Sequence, residues 1–191
     1  MNSLKLLIAI GMIVITSNFT CVSECSDVVN LQNWSAKWVN NSGREPQIAA
    51  DGPIPKNAFG IRLQAEAIKT AAGSIEASDV CYAALSQPFA SIRLISLDSF
   101  DTIPAQTDIS DRFMLRYNTK TNLEYVTLNE AVNTLSFFWE LTDDAFQFDL
   151  LMVEPPTQPG DYRFSVQLKF DTTSVVVNRD TLFALPTITL Q

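Results

Sequence analysis

The sequence predicts an all-β fold, a β-sandwich of about seven to nine short strands. Three observations lead to this class. Apolar and polar residues alternate with a period of two in several stretches, which is the pattern of strands that bury one face. Turn-forming residues separate these stretches at short intervals. No stretch sustains the helical period of a long amphipathic helix. Two sheets packed face to face account for all three observations.

The chain divides into three parts on these patterns. Residues 1–20 have the composition of a signal peptide of the lipoprotein type. Residues 21–56 are expected to form a tether and an irregular lead-in, because the turn-like segment 40–43 and the proline-containing segment 51–55 interrupt regular elements. The β-sandwich domain is expected to occupy residues 57–191.

Each strand is predicted from local alternation or from a run of β-branched and aromatic residues. The predicted strands are residues 59–67, 80–85, 91–97, 112–117, 123–127, 135–141, 146–153, 162–170, 174–177 and 187–190. The strand at 123–127 is expected to pair with the strand at 112–117 as a hairpin. Residues 129–133 are expected to form a single helical turn, with Thr127 or Asn129 as its cap.

The start of the chain has the features of an export signal. A short cationic segment, residues 1–5, precedes ten apolar residues at 6–15 and a polar stretch. Ten apolar residues are too few to span a bilayer, so they fit a signal peptide better than a membrane helix. The mature protein is therefore expected to work outside the cytoplasm.

Cys21 stands where a bacterial lipoprotein carries its acylated cysteine, directly after such a signal. Lipid on Cys21 would tether the protein to a membrane. Cleavage after Ser23 is the alternative, because residues 18–20 depart from the small residues that usually precede a lipidated cysteine. In that case the protein is secreted without an anchor.

The cysteine count suggests a disulfide. The chain has three cysteines, an odd number for an exported protein. If Cys21 carries lipid, Cys25 and Cys81 are the remaining thiols, and an oxidising compartment favours a bond between them. In the alternative, Cys81 is a buried and unpaired small hydrophobe, and Cys25 lies in a flexible tether.

Composition excludes several classes of function. The chain has no histidine, which removes the commonest general base and excludes hydrolases that depend on one. Its net charge of −8 and its pI near 4.4 make nucleic acid an unsuitable partner. We expect no metal and no cofactor.

Two groups of carboxylates are candidates for chemistry. One group lies in a single polar connection and offers the oxygen ligands that Ca²⁺ prefers: Asp98, Asp101, Asp108 and Asp111. The spacing matches no calcium loop, and aspartates are ordinary loop residues. The second group contains candidates for a glycosidase carboxylate pair: Asp143, Asp144, Asp149 and Glu154. Asp149 is expected on the outward face of a strand, which favours a solvated surface, so no catalytic residue is assigned.

Trp34 and Trp38 are the candidate ligand-binding residues, with Trp139 as a third aromatic farther along the chain. Tryptophan rings can stack on sugars, and these two would share a face if their segment were helical. The alternative is that they belong to the core, as large aromatic residues more often do.

Several segments resemble a family of uncharacterised lipoproteins from Bacteroides-type bacteria, a domain of unknown function. After the export signal and the early cysteine, the segments that carry the resemblance are residues 58–63, 90–96, 100–101, 150–156, 159–160, 164–168 and 187–190. They cover nearly the whole mature chain. The resemblance implies an outer-membrane or other cell-envelope location, facing the periplasm or the surface, and an immunoglobulin-like sandwich. It supplies no catalytic residue.

The sequence as a whole favours a non-enzymatic lipoprotein of the cell envelope, anchored through Cys21, whose β-sandwich is a binding or structural module. Its partner is expected to be the membrane together with an unknown protein or glycan ligand. Two alternatives remain open. The chain could be a subunit of a surface adhesive assembly, with the strand at 187–190 as a segment for donation, or a secreted carbohydrate-binding domain.

Overall fold

A computed structural model describes residues 26–49, 52–71, 82–99, 101–118, 123–137, 145–171 and 181–191. These residues form antiparallel sheets that pack as a sandwich, with one α-helix. The strands are β1 Ser26–Asn40, β2 Gln47–Ile48, β3 Phe59–Ala71, β4 Tyr82–Leu85, β5 Phe89–Ser96, β6 Thr107–Asp108, β7 Phe113–Asn118, β8 Leu123–Thr127, β9 Ala145–Met152, β10 Gly160–Tyr162, β11 Phe164–Phe170, β12 Thr181–Ala184 and β13 Ile188–Leu190. The helix, α1, is Leu128–Phe137, and short 3₁₀ turns form at Lys56–Ala58 and Ser110–Arg112.

The larger sheet has seven strands in the order β2–β1–β3–β9–β7–β8, with β4 paired to β1 as a branch. Neighbouring strands in this sheet are antiparallel, except that β4 runs parallel to β1. The hairpin of β7 and β8 confirms the predicted pairing of the strands at 112–117 and 123–127.

The second sheet has the order β12–β11–β5–β6, and β10 pairs with β13 beside it. The strand predicted at 162–170 is divided in the structure, because Arg163 separates β10 from β11. The carbonyl of Arg163 accepts a hydrogen bond from the N–H of Leu97 at 2.9 Å, so the chain remains bonded across the break.

The core lies between the two sheets and is rich in phenylalanine. Alternate residues of β3 and β11 point into it, as the period of two predicts. These residues are Phe59, Ile61, Leu63, Ala65 and Ala67 in β3, and Phe164, Val166, Leu168 and Phe170 in β11. The phenylalanine rings meet in edge and stacked contacts, such as Phe59 with Phe164 at 5.3 Å between centroids. Such contacts add to the free energy gained by burying apolar area.

The expectation that residues 26–56 are irregular is wrong for β1. This strand pairs along its length with β3, but the register shifts between Gln32 and Ser35, where two residues of β1 face one of β3. The bulge changes which residues point inward, from Val29 and Leu31 before it to Trp34 after it. No single alternation therefore runs through the segment, which is why its pattern looks irregular.

The prediction of a strand at 135–141 is also wrong for residues 135–137, which belong to α1. Leu128, Ala131 and Leu135 are buried at helical spacing, and they place one face of α1 in the core beside β5. Thr127, one of the two predicted residues, is the cap. Its N–H and hydroxyl donate to the Glu130 carboxylate, and its Oγ1 accepts from the Glu130 N–H, which is a capping box. The helix is longer than the single turn expected at 129–133.

The remaining predicted strands at 59–67, 80–85, 91–97, 146–153 and 187–190 correspond to β3, β4, β5, β9 and β13 with shifted ends. The strand predicted at 174–177 lies outside the described residues.

Candidate functional site: a bulge cleft and a buried charge network

A row of charged residues crosses the outer face of the larger sheet. Asp149 of β9 is paired in register with Arg62 of β3 on one side and with Arg116 of β7 on the other. Because side chains alternate along each strand, all three point away from the phenylalanine core. The segment that joins β1 to β2 lies over this row and contributes Glu45 and Pro46.

Asp149 is held by both arginines. Its Oδ1 accepts from Arg62 Nε at 2.7 Å, and its Oδ2 accepts from Arg62 Nη2 at 2.9 Å and from Arg116 Nη1 at 3.2 Å. Arg116 also donates from Nη2 to the Glu45 carboxylate. The Pro46 carbonyl accepts from Arg62 Nη2 at 3.2 Å. The hydrogen bond to Asp149 raises the pKa of Arg62 above its ordinary value.

The expectation of a solvated Asp149 is wrong, since its exposed fraction is 2%. A carboxylate that is covered and bonded to two guanidinium groups cannot contact a substrate. Glu154 is exposed and forms an ion pair with Arg112, with Oε2 3.8 Å from Nε. Asp143 and Asp144 lie outside the described residues. The described members of this group therefore do not form a catalytic carboxylate pair.

The four loop aspartates do not share a site. Asp98 forms a two-point ion pair with Arg163, whose hydrogen bonds lower the pKa of Asp98. Asp101 accepts from Thr157, which lowers the pKa of Asp101, and Asp108 accepts from the N–H of Ser110 at 3.0 Å. Asp111 is exposed. Among the described residues, no three acidic or sulfur ligands converge as a metal site would require.

Trp34 and Trp38 both lie on the inner side of β1 and pack against the core. The two residues are four positions apart on a strand, so they share a face through the strand period of two and not through the helical spacing considered for them. Trp34 makes edge contacts with several phenylalanines, including Phe146 at 5.8 Å, and Trp38 contacts Phe59 at 5.3 Å. Both residues remain partly exposed. Trp139 lies outside the described residues.

The β1 bulge produces a different feature, a polar cleft that sequence reasoning missed. Asn33 sits at the bulge with a φ of 54°, a left-handed conformation that asparagine adopts more readily than most residues. Its Nδ2 donates to Glu66 Oε2 at 2.6 Å. Two depressions of about 350 Å³ each meet at Asn33. We call them together the bulge cleft.

The two halves of the bulge cleft have different walls. The half on the outer face is lined by Asn33, Ser35, Gln64, Ala65, Glu66 and Ala145. The other half lies at the sheet edge, between β1 of the larger sheet and β11 and β12 of the second sheet. It is lined by Leu31, Gln32, Asn33, Trp34, Gln87, Phe170 and Thr181. The cleft therefore combines side-chain amides and hydroxyls with part of one tryptophan. The only sequence signal for it is the change in alternation at Asn33.

Cys21, Cys25 and Cys81 lie outside the described residues, so their lipidation and pairing stay predictions. None of the helices among the described residues is long and apolar enough to cross a bilayer. Comparison of the chain with protein-family models, with curated proteins and with solved structures gives no match.

Proposed function

We propose that this chain is a non-enzymatic lipoprotein of the cell envelope, anchored by lipid on Cys21, and that its β-sandwich is a ligand-binding module. The location is inferred from the position of Cys21 behind ten apolar residues and a cationic start. The resemblance to lipoproteins of Bacteroides-type bacteria supports the same location.

The burial of Asp149 is the observation that supports the non-enzymatic part of the proposal. In a chain without histidine, catalysis by acid and base would fall to carboxylates. The best candidate for that role is buried between Arg62 and Arg116. Asp98 and Asp101, the loop alternatives, are each bonded to a side chain of the domain. These carboxylates stabilise the fold and are not arranged around a common substrate position.

The bulge cleft supports binding over a purely structural role. Small-molecule sites are concave, and a few polar groups converge in them. The bulge cleft has this form, and most of its lining residues lie on strands. Strained backbone such as that of Asn33 tends to occur at functional sites.

Metabolic labelling with a palmitate analogue tests the anchor. We expect label on the wild-type protein and on the matched control Cys25→Ala, and no label on Cys21→Ala. Label retained in Cys21→Ala would overturn the proposed anchor.

A subunit of an adhesive assembly is the second candidate, and β8 is the observation that favours it. Among the described strands β8 pairs only with β7, and it exposes Leu123 and Tyr125, with exposed fractions of 42% and 49%. An unpaired edge of this kind can add a strand from another protomer. The strand β13 is a poorer donor, because Ile188 and Leu190 are buried within its own domain.

Light scattering of the mature protein separates the two candidates. A strictly monomeric protein at high concentration favours the binding module. Oligomers that disappear on Tyr125→Lys favour edge pairing.

A further inference from the structure

The bulge in β1 brings polar side chains from distant parts of the chain to one place. Asn33 and Trp34 stand opposite the single residue Ala65 of β3, and the extra residue turns the Asn33 side chain toward Glu66. Bulges often redirect a side chain beside a binding site. The bulge thereby aligns Asn33 with the outer face of β3, where Gln64 lies two residues from Glu66.

The chemistry of the cleft favours a ligand with many hydroxyl groups. Side-chain amides dominate its polar walls: Gln32, Asn33, Gln64 and Gln87. Each amide offers both donors and acceptors, as a sugar hydroxyl also does. An apolar ligand would bury these amides without partners, which is unfavourable.

The charges of the cleft favour a neutral ligand. Glu66 is the one ionisable side chain among the described lining residues. An anion would meet this carboxylate in a chain of net charge −8. A cation would find a single carboxylate, one oxygen of which also accepts a hydrogen bond from the Asn33 amide at 2.6 Å. Neither a cationic nor an anionic ligand is matched by a second charged group.

The half of the cleft at the sheet edge supplies an apolar wall. Leu31, Trp34 and Phe170 line it beside Gln32 and Gln87. Trp34 is not a free stacking platform, because its ring contacts core phenylalanines. Its remaining exposed part offers an apolar surface for the C–H face of a sugar ring. Each half has a volume of about 350 Å³, within the usual range for small-molecule sites.

We propose that the bulge cleft binds a neutral saccharide, with Asn33 placed between two sugar positions. This inference rests on the proposed binding function and names its ligand class. The amides hydrogen-bond the hydroxyl groups, and the Trp34 wall contacts the apolar face of one ring.

Titration calorimetry of the mature protein tests the inference. The probes are neutral gluco-, manno-, galacto- and xylo-oligosaccharides, with an oligogalacturonate as the anionic comparison. We expect at least one neutral probe to bind and the anionic probe not to bind. No binding by any neutral probe would overturn the inference, as would binding of the oligogalacturonate alone.

Asn33→Gly locates the site without disturbing the backbone, because glycine adopts a φ of 54° without strain. We expect about tenfold weaker binding from the loss of the amide. Gln167→Ala is the matched control, since Gln167 carries an amide on β11 of the opposite sheet. Equal affinity of Asn33→Gly and wild type would show that the saccharide binds elsewhere and would overturn the assignment.

Glu66→Gln tests whether binding depends on the charge of the cleft, because it keeps an acceptor for Asn33 and removes the negative charge. A neutral saccharide should keep its affinity within about threefold, a difference under 1 kcal/mol. Complete loss of binding of the neutral probe would show that recognition depends on the Glu66 charge and would contradict the inference of a cleft selected for neutral ligands through its amides.

The result of the saccharide-binding experiments can be distinguished from the result of the palmitate-labelling experiment. A protein that carries lipid on Cys21 and binds no saccharide overturns the ligand class alone. A protein that binds a saccharide through Asn33 and carries no lipid overturns the anchor alone.

Discussion

Replacing Asp149 with alanine would leave Arg62 and Arg116 facing each other on the outer face of the larger sheet. The wild-type carboxylate accepts three charged hydrogen bonds, at 2.7, 2.9 and 3.2 Å. The Arg116 side chain is only 6% exposed, and its Nε already lacks a partner among the described residues. Arg116 therefore cannot recover the lost bonds from water, whereas Arg62, at 17% exposure, recovers part of them.

Removing one partner of a buried pair typically destabilises a protein by about 3–5 kcal/mol. We expect a loss in that range for Asp149→Ala, against a total stability of about 5–15 kcal/mol for a domain. Urea unfolding followed by tryptophan fluorescence measures the loss as a lower midpoint. The matched control is Asp111→Ala, an exposed aspartate whose loss should change stability by about 0.5 kcal/mol or less.

The double variant Asp149→Leu with Arg116→Met tests whether the unpaired guanidinium of Arg116 causes the loss of stability. It removes the buried carboxylate together with its most buried partner, and Glu45, which is 55% exposed, remains solvated. We expect the double variant to be more stable than Asp149→Ala, because the buried Arg116 guanidinium is gone. Only Arg62, which is partly exposed, then lacks its carboxylate partner. A loss below about 1 kcal/mol for Asp149→Ala would refute the reasoning.

Three further outcomes are expected. Gly60→Ala should lower the melting temperature, because a Cβ there would lie 2.7 Å from the Leu151 side chain and 2.9 Å from a backbone carbonyl. Gly43→Ala, where the nearest atom lies 3.7 Å from the added Cβ, should leave the melting temperature unchanged. Thr127→Ala removes the cap of α1 and should lower stability by about 1 kcal/mol, measured by chemical unfolding. Asp98→Asn should lower the melting temperature at neutral pH. Since the folded pKa of Asp98 lies below its ordinary value, its contribution exists above the unfolded pKa, so the difference from wild type should vanish as the pH falls through the folded pKa. A difference that persists in acid would contradict the Asp98 contribution.

The all-β class could be predicted because residues 59–67 of β3 and the residues of β11 alternate with a period of two. The helix could have been predicted more fully. The Thr127 and Glu130 capping box and the helical spacing of Leu128, Ala131 and Leu135 are visible in the sequence. A prediction of strand at 135–141 gave more weight to β-propensity than to this periodicity.

The β1 strand could not be read from a fixed period, because the bulge at Asn33 moves the inward positions by one residue. The charge network was missed for a different reason. Arg62, Arg116 and Asp149 are far apart in sequence, and only the pairing of three strands brings them into one row. The bulge cleft likewise depends on long-range pairing, which local alternation does not contain.

Mass spectrometry of the N-terminal peptide of the membrane-associated protein tests the proposed envelope anchor most directly. We expect the mature chain to begin at Cys21 and to carry acyl chains on that residue. A mature chain that begins at Glu24 without lipid, released into the medium, would contradict it.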